Sequence, residues 1–250
     1  KTVSITPGHG DLTFGTPTIT STGFNSASGA FADFDGDGRT DLVLVGFTVS
    51  SEPRLSRLMN AGTHFEFDFT LTFPPQGGQT GPVVVADVDE DGTLDVIVRF
   101  GAELRWLQGA TDGGYSAPAP LGGAPSVGDY TLADLSGDGH LDVIGLASNG
   151  LLVAPGNGDA TFGTPTLVPT SEQPVALCID HADDDRLLVA AVATGGFFNP
   201  STVNLYRGQG GGRLAPAWSL KVTGTVRKLV LADANRDGAK DLLVLLHNQI

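Results

Sequence analysis

Apolar residues in this chain come in short runs bounded by turn residues: Leu42–Val45, Val83–Ala86, Val96–Val98, Tyr130–Ala133, Val143–Leu146, Leu151–Ala154, Val175–Ile179, Leu187–Val192 and Leu242–Leu246. Runs of this length between Gly, Asp and Pro clusters read as buried β-strands. None approaches 18 uninterrupted apolar residues, so no membrane-spanning helix is expected.

Between the first and second runs of each group lies an acidic loop. In Asp33-Phe34-Asp35-Gly36-Asp37-Gly38-Arg39-Thr40-Asp41 the carboxylates take places one, three, five and nine, with Gly at six. It returns as Asp87 to Asp95, Asp134 to Asp142 and Asp233 to Asp241. Such alternation aims oxygens at one hard cation, and Ca²⁺ takes six to eight oxygens at about 2.3–2.6 Å. The side-chain ligands expected are Asp33, Asp35, Asp37 and Asp41; Asp87, Asp89, Asp91 and Asp95; Asp134, Ser136, Asp138 and Asp142; Asp233, Asn235, Asp237 and Asp241. The seventh residues, Arg39, Thr93, His140 and Ala239, would each offer a backbone carbonyl, leaving the His140 imidazole at the surface. A single copy is as consistent with a solvated turn, but four copies with ligand-type residues at every side-chain place favour calcium. The stretch Asp180–Leu188 has decayed, with Ala182, Asp185 and Leu188 at places three, six and nine. Four filled calcium sites are therefore expected.

The first Asp of each loop, decayed copy included, lies at 33, 87, 134, 180 and 233. A period near 50 with four short strands per unit predicts an all-β fold, a five-bladed β-propeller with four-stranded antiparallel blades. The predicted blades are about 28–73, 82–121, 128–168, 174–222 and 226–250, forming one domain over 1–250. The fifth has only two strands. Its other half is predicted at residues 1–21, because Pro7-Gly8-His9-Gly10-Asp11-Leu12-Thr13-Phe14-Gly15-Thr16-Pro17-Thr18 parallels Pro155-Gly156-Asn157-Gly158-Asp159-Ala160-Thr161-Phe162-Gly163-Thr164-Pro165-Thr166. Closing the ring in this way removes two exposed sheet edges. Trp106 and Trp218 fall at positions that are apolar in other blades and are expected in the core between blades.

Composition refines this picture. Thirty-five Gly and fifteen Pro in 250 residues suit tight turns. The formal charge of −14 argues against nucleic acid, whose phosphates need a basic surface. Four Ca²⁺ would bring it to about −6. The lone Cys178 is expected as a small buried apolar side chain. Weak calcium sites fill outside the cell, so a secreted protein is expected, its signal removed or lying outside this sequence.

The acidic loops, the Ala-Asp pairs before them and Gly-Asn-Gly-Asp-Ala-Thr-Phe-Gly at 156–163 resemble FG-GAP or VCBS repeats, which build integrin α-subunit propellers, some calcium-containing fungal lectins and many secreted bacterial proteins. The resemblance runs along essentially the whole chain. It implies a propeller with calcium in the hairpins between the first two strands of each blade. It implies no single activity, and a five-blade ring departs from the seven blades of integrins.

No nucleophile elbow, P-loop or zinc-type spacing is present. On the face opposite the calcium loops, Phe24 and Asn25 in blade one and Phe197, Phe198 and Asn199 in blade four combine aromatic and amide groups as a carbohydrate site requires. The expected function is a secreted, calcium-stabilised module binding carbohydrate or a cell-surface ligand. The alternatives are a polysaccharide lyase or hydrolase working at the channel mouth, and a structural or adhesion segment of a larger protein. Oligomeric state is not legible.

Overall fold

The computed structural model describes residues 2–11, 13–62, 64–73, 80–101, 103–111, 113–181, 188–194 and 201–247. Every regular element among them is a strand. Strands β1 (Thr2–Ile5) and β2 (Thr18–Ser21) pair antiparallel, Thr2 opposite Ser21. The first four-stranded sheet follows, β3 (Asn25–Ala32), β4 (Asp41–Phe47), β5 (Pro53–Asn60) and β6 (Phe65–Thr72), in simple meander order. The second is β7 (Thr80–Ala86), β8 (Asp95–Phe100), β9 (Glu103–Leu107) and β10 (Ala119–Pro120). The third is β11 (Tyr130–Ala133), β12 (Asp142–Ala147), β13 (Gly150–Ala154) and β14 (Thr166–Pro169), and the fourth is β15 (Pro174–His181), β16 (Leu188–Thr194), β17 (Ser201–Gly208) and β18 (Leu214–Val222). A second two-stranded sheet, β19 (Thr225–Ala232) with β20 (Asp241–His247), ends the series. The predicted runs thus lie on strands, with four sheets of the blade type.

The chain divides into two compact units, Lys1–Asp87 with Gly92–Gly101 and Arg105–Ala119, and Val88–Asp91 with Ala102–Leu104 and Pro120–Ile250. In the first unit β4 is buried from Asp41 to Gly46. A strand covered on both sides needs a continuous apolar run, and Leu42-Val43-Leu44-Val45 supplies it. Val43, Val45, Leu55, Phe73, Val83, Val96 and Val98 form its main core, while Phe24, Leu42, Leu44 and Leu58 form a second cluster against which Val3 of β1 packs. Each such side chain contributes about 1.5–3 kcal/mol when fully buried. In the second unit Ile144 and Val153 pack with Leu135, and Ala176, Ala191 and Val203 pack with Val226 and Leu229 of β19.

The parallel stretches near residues 7 and 155 make the same hydrogen bonds. Gly15 N donates to Pro7 O and His9 N to Thr13 O, just as Gly163 N donates to Pro155 O and Asn157 N to Thr161 O. Asp11 and Asp159 each accept the amide and hydroxyl of the Thr two places on. That second turn joins β13 to β14, so β1 and β2 have the form of a blade's last two strands.

Cys178 is half-buried against the Ala176 cluster, and burial pushes its thiol up to about 11. Trp218, expected in the core, is 52% exposed. It pairs with Leu205 on the face of the fourth sheet that carries β19 and β20. Those two strands cover the sheet as far as Leu205 and Val222, and Trp218 lies on its last strand.

Candidate metal centres and a ligand cleft

Each acidic loop sits between the first two strands of its sheet, and all four have the same backbone. The fourth residues, Gly36, Glu90, Gly137 and Arg236, have φ of 73°, 58°, 78° and 65°, and the sixth, Gly38, Gly92, Gly139 and Gly238, have 81°, 87°, 95° and 91°. Left-handed backbone costs about 1–2 kcal/mol outside glycine, so Glu90 and Arg236 hold it only because the surrounding loop imposes it.

The first aspartate does much of that imposing. Gly36 N and Asp37 N donate to Asp33 Oδ1 at 2.8 and 3.1 Å, and Gly38 N to Oδ2 at 2.8 Å. Asp134 takes Gly137, Asp138 and Gly139 in the same way. Asp233 takes Asp237 and Gly238, and Asp87 takes Gly92. The fifth residue caps the seventh, as in Arg39 N to Asp37 Oδ1 at 2.7 Å and His140 N to Asp138 Oδ1 at 3.0 Å. Hydrogen bonds led by those from His140 N and Ala239 N hold the Asp138 and Asp237 carboxyls below the ordinary range.

The ninth aspartate has a task that its spacing does not reveal. Asp41, Asp95 and Asp142 open their strands with exposures of 1%, 0% and 0%. Asp142 Oδ2 accepts Leu135 N and Ser136 N, while Oδ1 accepts Gly156 N from the end of β13. Asp41 joins Phe34 N to Asn60 N, and Asp95 takes Gly109 N. A Cβ on Gly156 would stand 2.2 Å from Leu141 O, so only glycine permits this approach. Burial, the largest influence, raises the Asp142 carboxyl above the ordinary range against these three amides.

One carboxylate oxygen from each of Asp33, Asp35 and Asp37 lies within 4.8 Å of the others, and the same holds for Asp87, Asp89 and Asp95. Oxygens bound to one ion at about 2.3–2.6 Å lie no more than about 5 Å apart. These all-oxygen sets therefore fit a hard divalent cation. Asp41 is not in the first convergent set and Asp91 is not in the second. The loops beginning at Asp134 and Asp233 share the backbone, with Ser136 and Asn235 supplying neutral oxygens.

Loops touch turns of the following sheet. Ala160 N donates to Val88 O at 3.0 Å and Gly211 N to Ser136 O at 2.8 Å. His140 lies at the surface as expected, its Nδ1 2.6 Å from Glu90 Oε1, and that hydrogen bond leads in raising the imidazole above its ordinary value.

Beside the first loop, within the first unit, lies a cleft of about 310 Å³ walled by Asp33, Phe34 and Gly36, by Gly92–Leu94, and by the turn that ends in Tyr115. At its base Arg57, 6% exposed, is ion-paired through Nε and Nη2 with Asp68. Its guanidinium carbon stands 5.1, 5.3 and 5.8 Å from the ring centres of Tyr115, Phe69 and Phe34, a cation-π cage. Tyr115 meets Phe34 edge-on at 6.2 Å, and burial, despite Arg57, pushes its phenol up to about 12. Sequence reasoning missed this cluster, because its members come from the first acidic loop, the interiors of β5 and β6 and the turn before β10, and share no motif.

Of the predicted opposite-face residues, two lie among the described ones. Phe24 is completely buried with Leu42, Leu44 and Leu58, so it is a core residue and cannot stack on a ligand; Asn25 opens β3 and is exposed. Phe197, Phe198 and Asn199 lie outside the described residues.

The FG-GAP-like repeat model matches residues 2–44 and 33–98. That part of the chain, residues 2–98, carries FG-GAP-like repeats. No curated protein sequence matches it. Among solved structures, a lectin of Agrocybe aegerita, described by its specific recognition of non-reducing terminal N-acetylglucosamine, is similar at 16% identity and a TM-score of 0.52, over 86% of this chain and 73% of that one. BBS1N, solved in complex with ARL6DN, is similar at 16% identity and a TM-score of 0.50, over 90% and 76%. At such identity the chain shares a fold with these proteins, and function is a separate question.

Proposed function

We propose that this FG-GAP repeat protein is a secreted, calcium-stabilised binding module whose ligand is carbohydrate, free or displayed on a cell surface. The observation that carries the reading is the set of four loops sharing one left-handed backbone and one oxygen-rich ligand pattern, on a fold shared with a lectin. Four Ca²⁺ ions, one per loop, would offset carboxylate repulsion that otherwise splays each hairpin. The ions hold the scaffold, and recognition falls to side chains beside it.

Ring closure belongs to the same proposal. Strands β1 and β2 supply the two strands that β19 and β20 lack to make a fifth blade. Supporting this, Leu243 and Leu245 on β20 are 45% and 61% exposed, whereas Val43 and Val45 at the matching places of β4 are fully buried.

The test joins metal analysis to a glycan array, with calcium and after chelation. Expected are about four calcium ions per chain, a melting temperature lowered by several degrees or more on chelation, and calcium-dependent capture of at least one glycan class. Each native-only site adds about 2.7 kcal/mol at a hundred times its dissociation constant. Metal-free protein with an unchanged melt would overturn the calcium half. A blank array with calcium-loaded protein would overturn the carbohydrate half.

A further inference from the structure

We infer that the cleft between the Asp33 loop and the Gly109–Tyr115 turn is the ligand site, and that it takes an uncharged sugar residue at the end of a glycan chain; this rests on the carbohydrate reading above. The size fits one ring, since small-ligand pockets begin near about 300 Å³ and this one is about 310 Å³.

The walls fit the chemistry. A sugar presents hydroxyls around a partly apolar ring, and the cleft offers matching groups. Tyr115 and Phe34 give aromatic surface, while Gly92, Gly109, Gly113 and Gly114 leave backbone close to whatever enters. A Cβ on Gly113 would meet Arg57 Nη2 at 3.8 Å, so the turn lies directly over the guanidinium. Held by Asp68 and three rings, Arg57 is fixed in place before any ligand arrives, which lowers the ordering cost of binding. The phenol of Tyr115 stays protonated throughout the physiological range, a hydroxyl able to donate and to accept.

Charge decides between neutral and acidic sugars. Asp68 already compensates Arg57, and the loop that gives Asp33 to the wall carries Asp33, Asp35, Asp37 and Asp41 against Arg39, which one Ca²⁺ would leave with a net charge of about −1. A ligand carboxylate would face that excess with no spare cation in the cage. A second recess of about 370 Å³ shares Arg57, Gly113, Gly114 and Tyr115, giving room for the next sugar of the chain. Because Phe34 is the second residue of the metal loop and packs on Tyr115, binding should also weaken when calcium is removed.

The test uses the whole chain in calcium buffer, with N,N′-diacetylchitobiose as the neutral probe, glucuronic acid as the acidic one, and the glycan array as the broad screen. Thr111 is exposed at the cleft's rim, so Thr111→Trp fills the opening without touching the core. The expected result is at least about a tenfold loss of glycan binding with an unchanged melt, and about a three- to tenfold loss for Tyr115→Phe, which removes only the phenolic oxygen. Wild-type binding by Thr111→Trp would overturn the cleft while leaving the carbohydrate reading intact. Preference for glucuronate-terminated glycans would overturn the charge argument. A wild-type array with no captured glycan would sink both readings together.

Discussion

Asp142 and Asp241 occupy the ninth place of the same loop, and their surroundings differ. Asp142 is fully buried and gathers three amides, two from its own loop and one from Gly156 at the end of β13. Among the described residues one amide, Ala234 N, donates to Asp241, which is half-buried. The apolar neighbours follow suit: Val143 and Ile144 are 0% exposed, whereas Leu243 is 45% and Leu245 is 61%. The two loops share the sixth-place glycine, the left-handed φ at places four and six and the bond from the sixth amide to the first aspartate. What differs is the number of strands. A ninth-place aspartate staples its loop to the third strand of the sheet, and β19–β20 has no third strand of its own.

The largest effect expected is therefore at the complete sheet. Asp142→Ala strands three amides and should cost on the order of 3 kcal/mol or more; Asp241→Ala should cost about 1 kcal/mol if β19–β20 stands alone, and approach the Asp142 loss if β1–β2 supplies its third strand. Denaturant melts of the two variants decide between these outcomes. Deleting residues 2–21 comes next. If β1–β2 supplies the missing strands, the deletion should lower the melting temperature and reduce the Asp241→Ala loss to about 1 kcal/mol in the shortened chain, a coupling that a double-mutant cycle reads directly. Additive losses would mean that the hairpin and Asp241 are independent.

The smallest effect concerns Glu90 and His140. The imidazole is raised above its ordinary value by its bond to Glu90, so the stabilisation is present below about pH 6.5 and disappears as pH rises through the raised value. Glu90→Gln should melt slightly below wild type at about pH 6 and with it at about pH 8. A difference of equal size at both values would show that the pair does not act through protonation.

Much of the fold was legible because a buried strand leaves a trace in the sequence. The run Leu42–Val45 reappears as the buried interior of β4, and the likeness of residues 7–18 to 155–166 reappears as one hydrogen-bonded turn made twice. The acidic loops between first and second strands were legible for the same reason, since their spacing is local. Three things were not. Phe24 was expected on an exposed loop, but its ring turns inward beneath β4 and β5, and one residue gives no periodicity from which to read its direction. The left-handed fourth place was hinted at by Gly36 and Gly137 and hidden by Glu90 and Arg236. The Arg57 cage is assembled from residues 34, 57, 68, 69 and 115, and only tertiary structure brings them together.

The bonds from Ala160 to Val88 and from Gly211 to Ser136 tie a turn of one repeat to the metal loop of the repeat before it. An ion that orders one loop also fixes an acceptor for its neighbour's turn, and a turn already in place helps to order the loop beneath it. By reciprocity of linked equilibria the gain runs both ways. Occupancy of the Asp87 loop should therefore favour that of the Asp134 loop and the reverse, so that these two sites titrate cooperatively, while the bond to Gly211 passes the gain on to the fourth repeat as order alone, its own loop having decayed.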